Sequence, residues 1–302
     1  MALRSMRVRG ALAAAFATLT LTTVAAAPAS AAPPHNRVDA AAATTWLAQP
    51  AVLAGYIGDG TEAYAGATAK AALAVQVRGQ NPASFGGVDL LARLRGLLGA
   101  DGRFTDRSAF GDFSNAFSQS FGILALEPSG GAPNSAVAFL AASRCTDGGF
   151  PLQFAQPVCD SDVDSTAMAV QALIAAGRRS DAAPGIQWLV SNQAADGSFA
   201  AFGTANTNST GLAAQALAAA GRPVAWQKAR QFILSLQVGC DGAAEDRGAI
   251  AYSPAGFDPS TAPRATAQAV PGAAGAPFAD LSGTGAAPGA PSLARRSKRL
   301  PL

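Results

Sequence analysis

Three carboxylates fall within five residues at Asp160, Asp162 and Asp164, at the start of a stretch that continues Ser165-Thr166-Ala167. Such a cluster can do two kinds of chemistry. It can supply the oxygen ligands that calcium prefers, or one carboxyl can keep its proton, because crowded like charges raise a carboxyl pKa. The run Asn206-Thr207-Asn208-Ser209-Thr210 holds the corresponding place further along the chain. Asp or Asn ahead of Ser-Thr at a helix start also makes an ordinary N-cap, and the recurrence favours that role. A second constellation is Phe110, Phe113, Phe117 and Phe121, spaced 3, 4 and 4. On a helix these rings share one face, where they could floor an apolar cavity, hold a cation over their ring faces, or simply pack the core. Asp162 and Asp164 are thus the candidate catalytic groups. Asp160, Asp162, Asp164, Asn206, Asn208, Phe113, Phe117 and Phe121 are the candidate ligand contacts, with no metal or cofactor expected.

The elements that position these residues are repeats. Asp-Gly-x-Phe occurs at Asp101, Asp147 and Asp196, with degenerate copies at Asp59-Gly60 and Asp241-Gly242, in steps of 42, 46, 49 and 45 residues. A period of that length marks stacked supersecondary units. Asp closes the turn, Gly supplies a positive φ and Phe packs between helices. After each turn comes a helix crowded with small residues, at 66–75, 118–126, 165–176, 209–220 and 264–274. Two of these share Val-Gln171-Ala-Leu173 and Ala-Gln215-Ala-Leu217, and both end at Gly-Arg, where a C-terminal glycine is expected. Small residues suit an inner helix flanked on both sides. The stretches before the turns are larger and amphipathic and suit outer helices with one face in water. Pro271 and Gly272 are expected to interrupt the last inner helix.

Both ends of the chain read differently. Arg4, Arg7 and Arg9 precede an apolar run from Ala11 to about Val24, and Ala29-Ser30-Ala31 gives a small-x-small cleavage site, so residues 1–31 read as a signal peptide. The repeat domain spans 39–275. Residues 276–302 are rich in Pro, Gly and Ala with a basic end, and read as a disordered tail. Of 22 basic residues, three fall in the leader and four (Arg295, Arg296, Lys298 and Arg299) at the basic end, leaving 15 against 19 acidic in the rest of the chain. No basic face is visible, which sets nucleic-acid binding aside. No stretch after the leader reaches the roughly 18 apolar residues of a membrane helix. The protein is therefore expected outside the cell. There Cys145 and Cys159, fourteen residues apart around one repeat loop, are the natural disulfide pair. Cys240 has a partner in another chain or a missing segment, or is a free thiol.

These turns, helices and period resemble the prenyltransferase/squalene-oxidase repeat over residues 39–275. The resemblance implies an all-α fold, an α/α toroid of about five helical hairpins around a central cavity. Asp162-Val163-Asp164-Ser165-Thr166-Ala167 is similar to the Asp-x-Asp-Asp-Thr-Ala motif of class II terpene cyclases, which implies Asp164 as a general acid; Ser165 stands where that motif has a further Asp. The zinc site of protein prenyltransferases needs His, and the only histidine, His35, precedes the repeats. Gly239-Cys240-Asp241-Gly242 does not match the thioester motif of complement-like relatives. With these parts missing, the expectation is an exported, non-catalytic toroid that binds a small apolar or corrinoid-like ligand or a cell-surface partner. The alternatives are an Asp164-dependent cyclase or prenyltransferase-related enzyme, and a structural cell-wall module.

Overall fold

The computed structural model describes residues 42–283. The expected leader (1–31) and the basic end of the tail lie outside the described residues. After a helical run over 42–47, ten helices follow: α1 (Pro50–Ile57), α2 (Ala65–Val77), α3 (Leu90–Arg95), α4 (Ala116–Leu126), α5 (Asn134–Ala142), α6 (Val163–Ala175), α7 (Arg179–Asn192), α8 (Thr207–Ala219), α9 (Pro223–Ser235) and α10 (Ala262–Ala274). The even-numbered helices pack side by side in the order α2, α4, α6, α8, α10, and the odd-numbered ones pack outside them. The chain is an all-α, α/α toroid.

Burial follows side-chain size as the sequence demands. On α8, Thr207 and every residue from Ser209 to Leu217 is buried, so the helix is enclosed on all sides. On α9 only Ala225, Ala229, Phe232 and Ile233 are buried, a single stripe facing inward. Glycine lets the inner helices touch: a Cβ on Gly272 would collide with the backbone of Gly211 on α8. That contact also explains why the expected interruption at Pro271–Gly272 does not occur. α10 runs through both residues to Ala274 and stops at Gly275, whose φ is 68°. Pro271 removes the N–H that would bond the Ala267 carbonyl, and close packing against α8 holds the helix despite that loss.

The turns serve the scaffold. Gly102, Gly148 and Gly197 have φ of 89°, 101° and 89°, and Phe104, Phe150 and Phe199 are buried. The Asp101, Asp147 and Asp196 carboxylates each accept the N–H two residues on, at 3.0–3.1 Å. Two short antiparallel ladders follow: β1 (Phe150–Pro151) with β2 (Ser161–Asp162), and β3 (Phe199–Ala201) with β4 (Thr204–Asn206). They pair Phe150 with Asp162 and Phe199 with Asn206, tying each turn aromatic to the residue that caps the next inner helix. Cys145 and Cys159 form the expected disulfide across the first of these loops, and Cys240 is exposed and unpaired.

The packed body also extends past the boundary drawn at 275. Residues 276–283 cross the C-terminal ends of the inner helices as a strap with a 3-10 turn at Phe278–Asp280. The Phe278 N–H donates to Gln171 Oε1 at 3.0 Å, and Gln215 Nε2 donates to the Ala276 carbonyl at 2.8 Å. The Phe278 ring meets Phe121 edge to face, 5.4 Å between centroids. The two glutamines of the repeated Gln-Ala-Leu cores thus hold this strap. Composition hid it because one aromatic ring in the right place is enough to anchor a Pro/Ala-rich segment.

Candidate functional site

The inner helices begin in a common way. Asn115, Asp162 and Asn206 are the N-caps of α4, α6 and α8, accepting the N–H of Ser118, Ser165 and Ser209 at 3.3, 2.7 and 2.8 Å. One residue further, a side chain takes the N–H of a turn residue: Gln119 from Phe104 (2.9 Å), Thr166 from Phe150 (2.8 Å) and Thr210 from Phe199 (2.9 Å). Thr266 of α10 does the same for Ile250 at 2.8 Å. Two residues before each of these anchors stand Phe117, Asp164, Asn208 and Arg264, and all four line one central cavity of about 400 Å³. They form a ring at the N-terminal mouth of the toroid. One turn deeper the wall includes Lys70, Phe121, Leu212 and Gln268, and Phe278 and Leu281 of the strap form the floor.

The structure separates the candidate carboxylates. Asp160 is exposed on the loop, Asp162 is committed to capping, and only Asp164 faces the cavity. The chain leaves an extended strand and enters a helix between Asp162 and Asp164, so alternate residues no longer point the same way. Among the described residues no group of three His, Cys, Asp or Glu side chains converges on a metal position. Asn206 is both a cap and part of the cavity wall, and Asn208 lines the wall. The aromatic stripe is likewise split. Phe117 and Phe121 are on α4 and line the cavity, whereas Phe110 and Phe113 precede the helix and are 78% and 71% exposed. Asp112 holds them in a loop: it accepts the N–H groups of Asp106 and Ser114 and pairs with Arg103 at 2.9 Å.

Burial sets the electrostatics. It pushes the Asp164 carboxyl from 3.8 up to about 6; a hydrogen bond from the Ser209 hydroxyl works against that rise and the Asp162 charge adds to it. Burial pushes Lys70 from 10.5 down to about 8 and Tyr56, also on the wall, up to about 12. The Lys70 ammonium lies 5.4 Å from the centroid of the Phe121 ring. Oδ1 of Asp164 and Oδ1 of Asn208 are buried and have no hydrogen-bond partner. Arg264, Lys70 and Phe278 were not among the residues singled out by sequence. Arg264 could have been found by aligning the fifth repeat on Thr266, whereas Phe278 carries no local signal.

No protein-family model matches the chain, and no curated protein matches it in sequence. Solved structures do match. Haptocorrin in complex with Cbi is 18% identical over 89% of this chain and 63% of that one, with a TM-score of 0.53. A protein from Actinoplanes is 14% identical over 86% and 89%, TM-score 0.59. Candida albicans protein geranylgeranyltransferase-I complexed with GGPP is 13% identical over 72% and 67%, TM-score 0.51. This chain therefore spans just under two thirds of the haptocorrin chain. At these identities the likeness is one of fold, and it places the chain among the α/α toroids.

Proposed function

We propose that this protein is an exported binding protein of the prenyltransferase/squalene-oxidase repeat type, whose central cavity holds a small ligand with an apolar body. One observation carries the reading: a cavity of about 400 Å³ is enclosed by all five inner helices and floored by the chain's own strap. Its walls are mainly apolar with a few convergent polar groups, the usual make-up of a small-molecule site, and its volume is toward the lower end of the roughly 300–1,000 Å³ such sites occupy. Two structural neighbours hold ligands, one of them a corrinoid binder and the other bound to GGPP. A corrinoid is too bulky for this cavity and would have to lie across the rim, so a compact ligand fits better. Export is supported by the leader-like residues 1–31 and by the Cys145–Cys159 disulfide, a bond that persists in oxidising compartments. The test is a thermal-shift screen of the purified protein against compact apolar and amphipathic compounds. A binder raises Tm with concentration, and Phe121→Ala removes that rise. A screen without any shift favours the wall-module or cell-surface-partner reading.

A second reading keeps Asp164 as the proton donor of a cyclase, favoured by its raised pKa at the wall of an apolar cavity. Incubation with squalene and geranylgeranyl diphosphate tests it. Cyclised product that disappears in Asp164→Asn supports it, and unchanged substrate with the intact protein ends it.

A further inference from the structure

The mouth ring is a register at which the repeats turn side chains of different chemistry to the cavity. On α4, α6 and α8 the cap is Asn or Asp, the third helical residue is Ser, and the fourth anchors the turn N–H. The second residue makes none of these bonds and differs in every copy: Phe117, Asp164, Asn208 and, by the Thr266 anchor, Arg264. Since α6, α8 and α10 are neighbours in sequence around the ring, an acid, an amide and a base stand in consecutive sectors of the mouth.

Asp164 keeps one hydrogen bond, from the Ser209 hydroxyl, but one oxygen of Asp164 and one of Asn208 lack partners. These Oδ1 atoms are buried without a hydrogen bond, and Arg264, exposed at the rim, has no ion-pair partner among the described residues. Buried polar groups are nearly always satisfied, so the two unmet oxygens in the cavity wall are where a ligand's own donors belong, and the exposed Arg264 beside them can meet an anion at the rim. An amine alone would leave Arg264 unused and an acid alone would leave Asp164 unpaired. An amide can accept from one group and donate to the other, which suits Asn208 to the middle position. Arg is the side chain whose planar fork matches a carboxylate.

We propose that this ring recognises the zwitterionic head of a small amino-acid-like molecule, with Asp164 facing the ammonium, Arg264 the carboxylate and Asn208 between them, while the apolar body descends to Phe121, Leu212 and Phe278. The inference rests on the central cavity being the binding site. The other charges near the head are Asp162, which raises the Asp164 pKa, and Lys70, one turn deeper on α2, which is not among the groups that shift Asp164.

Calorimetric titration of the disulfide-bonded protein tests it with four compounds sharing one ring and side arm: phenylalanine, phenethylamine, 3-phenylpropionate and 3-phenylpropanol. Phenylalanine is expected to bind at least about tenfold more tightly than any of the others, the cost of leaving one charged group unmet. Asp164→Asn weakens phenylalanine but not 3-phenylpropionate, and Arg264→Gln weakens phenylalanine but not phenethylamine. Equal affinities for the four compounds on the unaltered protein overturn the inference without relying on any variant. If none of them binds while a neutral apolar dye is taken up in a Phe121-dependent way, the inference falls and the cavity remains a binding site. If the dye also fails, both fall.

Discussion

Thr210 Oγ1 accepts the backbone N–H of Phe199 at 2.9 Å, and both residues are buried. The same hydroxyl donates to the Asn206 carbonyl at 2.6 Å. One side chain thereby locks the turn aromatic, the capping residue and the start of α8 into a fixed relation. Gln119, Thr166 and Thr266 accept a turn N–H in the same way, from Phe104, Phe150 and Ile250. This bond sets the height at which Asn208 meets the cavity.

Thr210→Val keeps the shape and removes the acceptor, stranding the buried Phe199 N–H. A loss of about 1–3 kcal/mol is expected, which for a domain of this size lowers Tm by roughly 2–4 °C per kcal/mol. Thr210→Ser restores most of it. A valine variant that melts with the unaltered protein would show that the hydroxyl does not set the register.

Close contact between α8 and α10 depends on Gly272, whose missing Cβ leaves room for the Gly211 backbone. Backbone atoms cannot rotate aside, so Gly272→Ala should destabilise by about 1–3 kcal/mol through overpacking. Gly239→Ala serves as the control, because nothing lies within 4 Å of its added Cβ. Urea denaturation of the pair should show a lowered midpoint for the first and little change for the second.

The Asp164 carboxyl, lifted from 3.8 to about 6 in the folded protein, binds a proton more readily folded than unfolded. The stability it contributes is therefore fully present below pH 3.8 and is lost as the pH rises through 6. Other carboxylates shift the opposite way, among them Asp112, Asp147 and Asp196. The comparison has to be with Asp164→Asn, which lacks this component and leaves theirs. Unfolding free energies of the two proteins should diverge between pH 4 and 6, the unaltered protein losing more as pH rises; parallel curves would refute the shift.

Reduction of Cys145–Cys159, or replacement of both cysteines by serine, frees a fourteen-residue loop. The chain-entropy model gives a loss of about 3 kcal/mol. The effect should centre on the loop that carries Asp160 and delivers Asp162 to its capping position. Calorimetry with and without reductant measures the first, and faster amide exchange at α6 than at α8 would report the second.

Much of the scaffold was legible in the order of residues. The Asp-Gly-x-Phe period, the glycine after each inner helix and the contrast between small-residue and amphipathic helices are local signals, because capping, positive φ and side-chain volume act over a few residues. Cys145 and Cys159 were legible for the same reason. The site was legible only in part. Of the candidate residues, Asp164, Asn206, Asn208, Phe117 and Phe121 line the cavity, but Asp160, Asp162 and Phe113 do not. Spacing gave the composition of those clusters and not the direction in which each side chain points.

What the sequence determined by itself, then, was a repeating hairpin with its caps and turns, since those depend on neighbours along the chain. Only the tertiary structure decided which member of each cluster faces inward, set Arg264 in the same ring as Asp164, and laid Phe278 across the floor against Phe121. The physical reason is the curved row of inner helices: helices far apart in sequence share one cavity, and no rule acting within a single repeat can specify what lies opposite.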